Sequence, residues 1–135
     1  MDTLDDREGF ENACHYFVLA LKSLAASPEE ACEMNGWFNT AFEIKHDVEA
    51  GPCLFNNVAC PLTDEHKAAI TSLVSALQAI PEDAWSFTQV RQESLTHMQH
   101  PGWLPAREMA SRLLESLQPI TDRNTRYFER ASQKT

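Results

Sequence analysis

Ile70, Leu73, Val74, Leu77 and Ile80 recur at steps of three and four residues, and that period decides what the chain can build. Such a stripe lies along one side of a helix, whereas on a strand it would scatter over both faces. The same spacing recurs at Phe10, Cys14, Phe17, Val18, Leu21 and Leu24, and again at Ala106, Met109, Ala110, Leu113, Leu114 and Leu117. Two-residue alternation, the mark of a half-buried strand, is nearly absent. The expectation is an all-α fold, an antiparallel helical bundle of about four to six helices. A chain of 135 residues is one domain by size, so residues 1–135 are read as a single helical unit without a linker.

Local signals divide the chain. The first stripe predicts a helix over about 5–26. Ser27-Pro28-Glu29-Glu30 then restarts it, with Ser27 as N-cap, Pro28 in the first turn and Glu30 completing a capping box. A second helix is expected from Pro28 to about Ala50, closed by Gly51 in a left-handed C′ conformation and by Pro52. The uncharged run GPCLFNNVACPL, residues 51–62, is read as a loop whose Leu54, Phe55 and Val58 pack back on the core. Thr63-Asp64-Glu65 caps a third helix that ends at Pro81. A further helix is placed over about 82–98, another opens at Trp103-Leu104-Pro105, and a last one, past Pro119, carries Ile120, Tyr127 and Phe128.

Charge narrows the partners. The net charge is −9, and it is uneven: residues 1–66 hold 13 acids against 3 Lys/Arg, residues 67–135 hold 7 against 8. Such a chain repels nucleic acid and anionic lipid and attracts basic partners. The basic residues late in the chain, Arg107, Arg112, Arg123, Arg126, Arg130 and Lys134, are expected to pair with the acidic half inside the fold. No apolar run is long enough to cross a bilayer, and the acidic start MDTLDDREGFE has no apolar export core. Neither nucleic acid nor membrane is expected as a partner. Cys14, Cys32, Cys53 and Cys60 follow no metal spacing and read as reduced thiols of a cytoplasmic protein.

No phosphate-binding glycine loop is present, since the four glycines stand apart at 9, 36, 51 and 102. Cys14 and His15 are neighbours, but adjacent helical residues diverge and cannot act as a nucleophile–base pair. Glu43 and His46 have the Glu-x-x-His spacing of helical metal sites, without the second such motif that a di-metal centre needs. A mononuclear site from His46, His97 and His100 is the one metal-enzyme alternative. The expectation is a protein without catalytic residues and without a cofactor.

The stretch NGWFNTAFEIKHDVEAG, residues 35–51, carries the functional expectation. As one continuous helix it puts Met34, Phe38, Ala41 and Val48 on an apolar face with Lys45 among them. A lysine there needs a carboxylate, from Glu49 four residues on or, better, from Glu11 or Glu115 on a neighbouring helix. The opposite face carries Asn39, Glu43, His46 and Asp47. Asparagine is a weak helix former, so its presence there suggests contact rather than solvation. Asn39, Glu43 and Asp47, with the acidic corner Asp64 and Glu65, form the first candidate for partner binding. Glu82, Asp83 and Trp85 form the second. Trp103, in the uncharged run 94–106, is an anchor or a core residue, and exposed apolar side chains in 51–62 or 94–106 leave a homodimer open.

The pattern N-x-A-x-E-I-K-x-D-V-x-x-G at Asn39, Ala41, Glu43, Ile44, Lys45, Asp47, Val48 and Gly51, with L-T-x-E-x-x-x-A-I-x-x-L-x-x-x-L-x-x-I-P over residues 62–81, resembles small all-helical bacterial immunity proteins of toxin–immunity pairs. The resemblance spans about residues 27–81. It implies a cytoplasmic protein that binds one cognate toxin domain with a basic surface and blocks it. An acidic secretion chaperone or adaptor is the rival binding protein, and because such chaperones commonly mix helix and strand, an all-α fold counts against it.

Overall fold

Thr3 opens the first helix in the computed structural model, which describes residues 3–133. Its hydroxyl accepts the Asp6 N–H at 3.1 Å, and the Asp6 carboxylate accepts the Thr3 N–H at 3.0 Å. Two donors that the helix cannot satisfy internally are thereby met. This helix, α1 (Leu4–Ala25), is the spine of the fold: Phe10, Cys14, Phe17, Val18, Leu21 and Leu24 are all buried. Around it stand α2 (Pro28–Met34), α3 (Thr40–Glu49), α4 (Asp64–Gln78), α5 (Arg91–Gln99), α6 (Leu104–Ser116) and α7 (Gln118–Gln133). Short 3-10 segments cover Gly51–Asn56, Glu82–Ala84 and Pro101–Trp103. The described residues therefore form seven α-helices and no strand, an all-α domain somewhat more divided than the four to six helices expected. No helix among them is long and apolar enough to cross a membrane.

The main seam is α1 against α6, with α4 packed on α6 and α3 on α1. Capping signals place the ends as expected at Ser27, whose Oγ accepts the Glu30 N–H, and at Thr63, whose Oγ1 accepts the His66 N–H. The capping box expected at Ser27 is not completed, because the Glu30 carboxylate accepts the Ser27 hydroxyl rather than the Ser27 N–H. His66 rather than an acid returns the bond to Thr63, through Nδ1. Its Nε2 lies 3.2 Å from the Ser116 carbonyl and ties the start of α4 to the end of α6. Trp103 is a core residue: it is wholly buried, and its indole N–H donates to the Ala84 carbonyl at 3.1 Å.

Three boundaries differ from the expectation. The helix expected over 28–50 is two helices, because Asn35-Gly36 stops α2. The Trp37 N–H bonds the Cys32 carbonyl at 2.8 Å and the Gly36 N–H the Glu33 carbonyl at 3.3 Å, a Schellman closure with Gly36 at φ +69°. The helix expected over 82–98 begins only at Arg91. Residues 85–90 run irregularly, held by Thr88, whose Oγ1 accepts the Val90 N–H at 3.0 Å. Gly51 does not close α3 in a left-handed conformation, since its φ is not positive; the position instead needs glycine for space. A Cβ there would stand 2.6 Å from Phe17 Cε1 and 3.0 Å from Ile70 Cγ2. In the loop that follows, Leu54 is buried and Phe55 half-buried as expected, whereas Val58 is exposed. That loop is pinned instead by Asn57, whose amide donates to the Asp6 carbonyl at 2.9 Å.

The ion pairs also differ. Lys45 does not reach Glu11 or Glu115; it pairs with Glu49 at 3.0 Å on its own helix. Glu11 is wholly buried, with Arg123 Nε at 4.0 Å and neither carboxylate oxygen hydrogen-bonded. Within the late basic cluster, of which Lys134 lies outside the described residues, Arg123 thus meets the acidic half, while Arg107 donates to the Met98 carbonyl at 2.8 Å. Beside this pair Asn124 Nδ2 donates to the Glu11 carbonyl at 2.8 Å and docks α7 on α1.

Candidate partner-binding surface

Ending α2 at Gly36 resets the helical phase, and the residues that follow are delivered to new places. Trp37 (φ 62°) and Asn39 (φ 48°) both take the left-handed conformation, unusual for any side-chain-bearing residue and most of all for a bulky one. The turn holds Trp37 on both sides: its indole N–H donates to Glu33 at 2.6 Å, and the Arg91 guanidinium lies 4.1 Å above its ring. Asn39 folds inward, only 2% exposed, and its Oδ1 accepts the Thr88 N–H at 3.2 Å. Asn39 is therefore corrected from contact residue to structural clasp. It belongs to no outward face, because the helix that would have placed it there is interrupted.

The clasp fixes residues 38–42 against residues 85–88. Phe38 meets Phe87 edge to face at 6.0 Å on one side of it, and Phe42 meets Trp85 at 6.4 Å on the other. Trp85 donates its indole N–H to the Ile80 carbonyl at 3.0 Å, and the Lys45 ammonium sits 4.4 Å from its ring centroid. The misfit lysine thus has two partners, an aromatic face and a carboxylate, and both hold the frame. What the frame leaves open is apolar: Phe38 is 48% exposed, Phe42 36%, Phe87 59% and Val90 53%.

Phe42 also stacks on His46, with centroids 6.2 Å apart and planes 7° apart. Beyond His46, α1, the end of α2 and α3 enclose a groove of about 580 Å³ that reaches the 51–56 turn. Asp47 stands on its wall. Burial pushes the Asp47 carboxyl above the ordinary aspartate range; Glu43 adds to that rise and His46 opposes it. Among the described residues no Lys or Arg pairs with Asp47 or Glu43.

The eight residues singled out from sequence are thus divided. Glu43 and Asp47 lie one turn apart on α3, with Asp47 on the groove wall, whereas Trp85 packs into the aromatic surface on the Phe42 and Lys45 flank of that helix, and the exposed Glu82 and Asp83 precede it in the turn. Asp64 and Glu65 are exposed in the first turn of α4, beside the end of α6, with no contact to this surface among the described residues. Asn39 lies beneath the surface. Phe87 stands near Trp85 in the sequence as a candidate interface aromatic, whereas sequence reasoning missed Phe38, Phe42 and Val90. The usable signal was Asn35-Gly36, which breaks the helix and turns Phe38 out of the core. His46, His97 and His100 do not meet, and no three His, Cys, Asp or Glu side chains are grouped to hold a metal among the described residues. His100 instead accepts the Gly102 N–H through Nδ1. Comparison with known protein families, with characterised proteins and with solved structures finds no match to this chain.

Proposed function

We propose that the protein is a non-catalytic binding protein of the immunity type, which docks on a toxin domain with a basic surface and occludes its active or substrate-binding surface. The observation that carries this reading is the exposed aromatic cluster Phe38, Phe42 and Phe87, with the exposed Val90 three residues further on, held by a strained and hydrogen-bonded frame. Clustered apolar side chains with a polar rim are what an interaction site needs. Aromatic anchors supply buried contact area, and the surrounding charge steers the encounter. The excess of acid in residues 1–66 fits a basic partner. The all-helical fold is a point against the secretion-chaperone alternative.

The test is co-expression with the products of adjacent reading frames, followed by calorimetry on any complex. Phe42→Ala and Phe87→Ala should each weaken binding by about tenfold or more, the usual consequence of removing an aromatic anchor worth about 2 kcal/mol. The variants should also fail to protect cells from the toxin. Full binding by the double variant, or the absence of any neighbouring product that binds, overturns the proposal.

A further inference from the structure

The aromatic cluster leaves one adjoining feature unused. The groove between α1 and α3 has walls of Tyr16, Leu19 and Met34, all exposed, and a bottom kept open by small side chains such as Ala20. Its volume, about 580 Å³, is that of a ligand pocket. The lining is mainly apolar, with Asp47 as the acid on the wall and Glu43 one helical turn before it.

Asp47 decides what can fill the space. Anything that enters the groove takes water away from the Asp47 carboxylate. Asp47 is exposed, so a neutral apolar group would remove part of its hydration and offer neither a hydrogen bond nor a counter-charge in return. An anion would add repulsion from Asp47 and Glu43. A guanidinium or ammonium group offsets the lost hydration directly, and no Lys or Arg of this chain does so among the described residues. The three-carbon stem of an arginine or the four-carbon stem of a lysine also suits Leu19, Met34 and Tyr16 while its charged head meets the acid.

We propose that this groove is the seat of a basic side chain, arginine above all, projecting from an apolar segment of the partner protein. This rests on the reading of the aromatic cluster as the docking face. The Phe42–His46 stack leads from that face to the groove, so one partner segment can cover both. Arginine is favoured over lysine because its planar fork bonds a carboxylate through two parallel N–H groups and stacks on an aromatic face such as that of Tyr16.

The probe is the capped tripeptide acetyl-Leu-Arg-Leu-amide, titrated into the isotopically labelled full chain at low ionic strength and followed by amide chemical shifts. The control peptide carries citrulline, which keeps the shape of arginine and removes its charge. The arginine peptide should move the amides of Ser23, Asn35 and Asp47, and should bind at least tenfold more tightly than the citrulline peptide. Asp47→Asn should abolish that tenfold preference. Ala13→Trp, which fills the groove from an exposed position on α1, should abolish binding of both peptides. Equal binding of the two peptides, shifts confined to other surfaces, or no shift with either peptide overturns the proposal. These outcomes are separate from those of the docking face. A partner lost to Phe42→Ala and Phe87→Ala but bound normally by Asp47→Asn and Ala13→Trp leaves the face standing and removes the groove. Selective arginine-peptide binding with a partner indifferent to the phenylalanines does the reverse.

Discussion

Replacing Asn39 tests both the local strain and the clasp that holds the aromatic surface. Two terms are involved. The first is conformational: at φ 48° an alanine would sit about 1–2 kcal/mol above a glycine, while asparagine tolerates the region better than most residues. The second is the hydrogen bond to the buried Thr88 N–H, at 3.2 Å, which both substitutions remove. An unsatisfied buried donor costs about 1–3 kcal/mol. Asn39→Gly should therefore lose about 1–3 kcal/mol and Asn39→Ala about 2–5 kcal/mol, with a gap of about 1–2 kcal/mol between them. Urea unfolding followed by tryptophan fluorescence measures both, provided the slope with denaturant is unchanged. Partner binding should fall in both variants, because residues 38–42 lose their register against 85–88. Alanine no worse than glycine would refute the strain argument. A neutral glycine variant would refute the clasp.

Gly51→Ala should destabilise the fold by about 1–3 kcal/mol through overpacking, since its Cβ would stand 2.6 Å from the buried Phe17 ring. In a thermal melt, trimming the ring with Phe17→Leu should rescue part of that loss, and a melt that Gly51→Ala leaves unchanged would contradict the packing. Lys45→Gln removes the cation over Trp85 and the Glu49 pair, and should cost about 1 kcal/mol. Glu49→Gln should cost only a few tenths, and the reverse ranking in denaturant titrations would assign the lysine to the ion pair instead. Burial, with Glu11 as the next cause, raises the Cys14 thiol from 9.0 to about 12. In the unfolded chain this thiol ionises first, so its stabilising contribution is complete below about pH 9 and is lost as pH rises toward 12. Cys14→Ala should flatten that part of the alkaline stability profile, and the native chain should alkylate at the exposed Cys53 well before Cys14.

How far the sequence could be read depended on whether a residue acts within its own helix. The stripes of α1, α4 and α6 were legible because burial follows the helical period there without interruption. The caps at Ser27 and Thr63 were legible because their partners lie three residues away. The clasp was not, because Asn39 and Thr88 are 49 positions apart and nothing local marks the bond. The helix through 28–50 failed at a competition that periodicity does not weigh: apolar spacing favoured continuation, while Asn35-Gly36 offered a closure satisfying the last carbonyls of α2. That one misplaced boundary inverted the surface. Phe38 moved from the expected core to solvent, and Asn39 moved from the expected surface to the core.

The resemblance motif takes on a different meaning once its residues are located. Ala41, Ile44 and Val48 are buried, Asn39 clasps Thr88, Lys45 braces Trp85, and Gly51 clears space for Phe17. Six of its eight fixed positions therefore build the scaffold, and only Glu43 and Asp47 remain for contact. A motif of that kind specifies the platform rather than the partner. On the proposed reading, partner choice lies in the exposed Phe38, Phe42 and Phe87. The platform is itself costly, with two side-chain-bearing residues left-handed in one turn. A fold selected for stability alone would relax both. On the proposed reading, strain of this kind is kept beside the exposed aromatic cluster because a partner's contacts offset it.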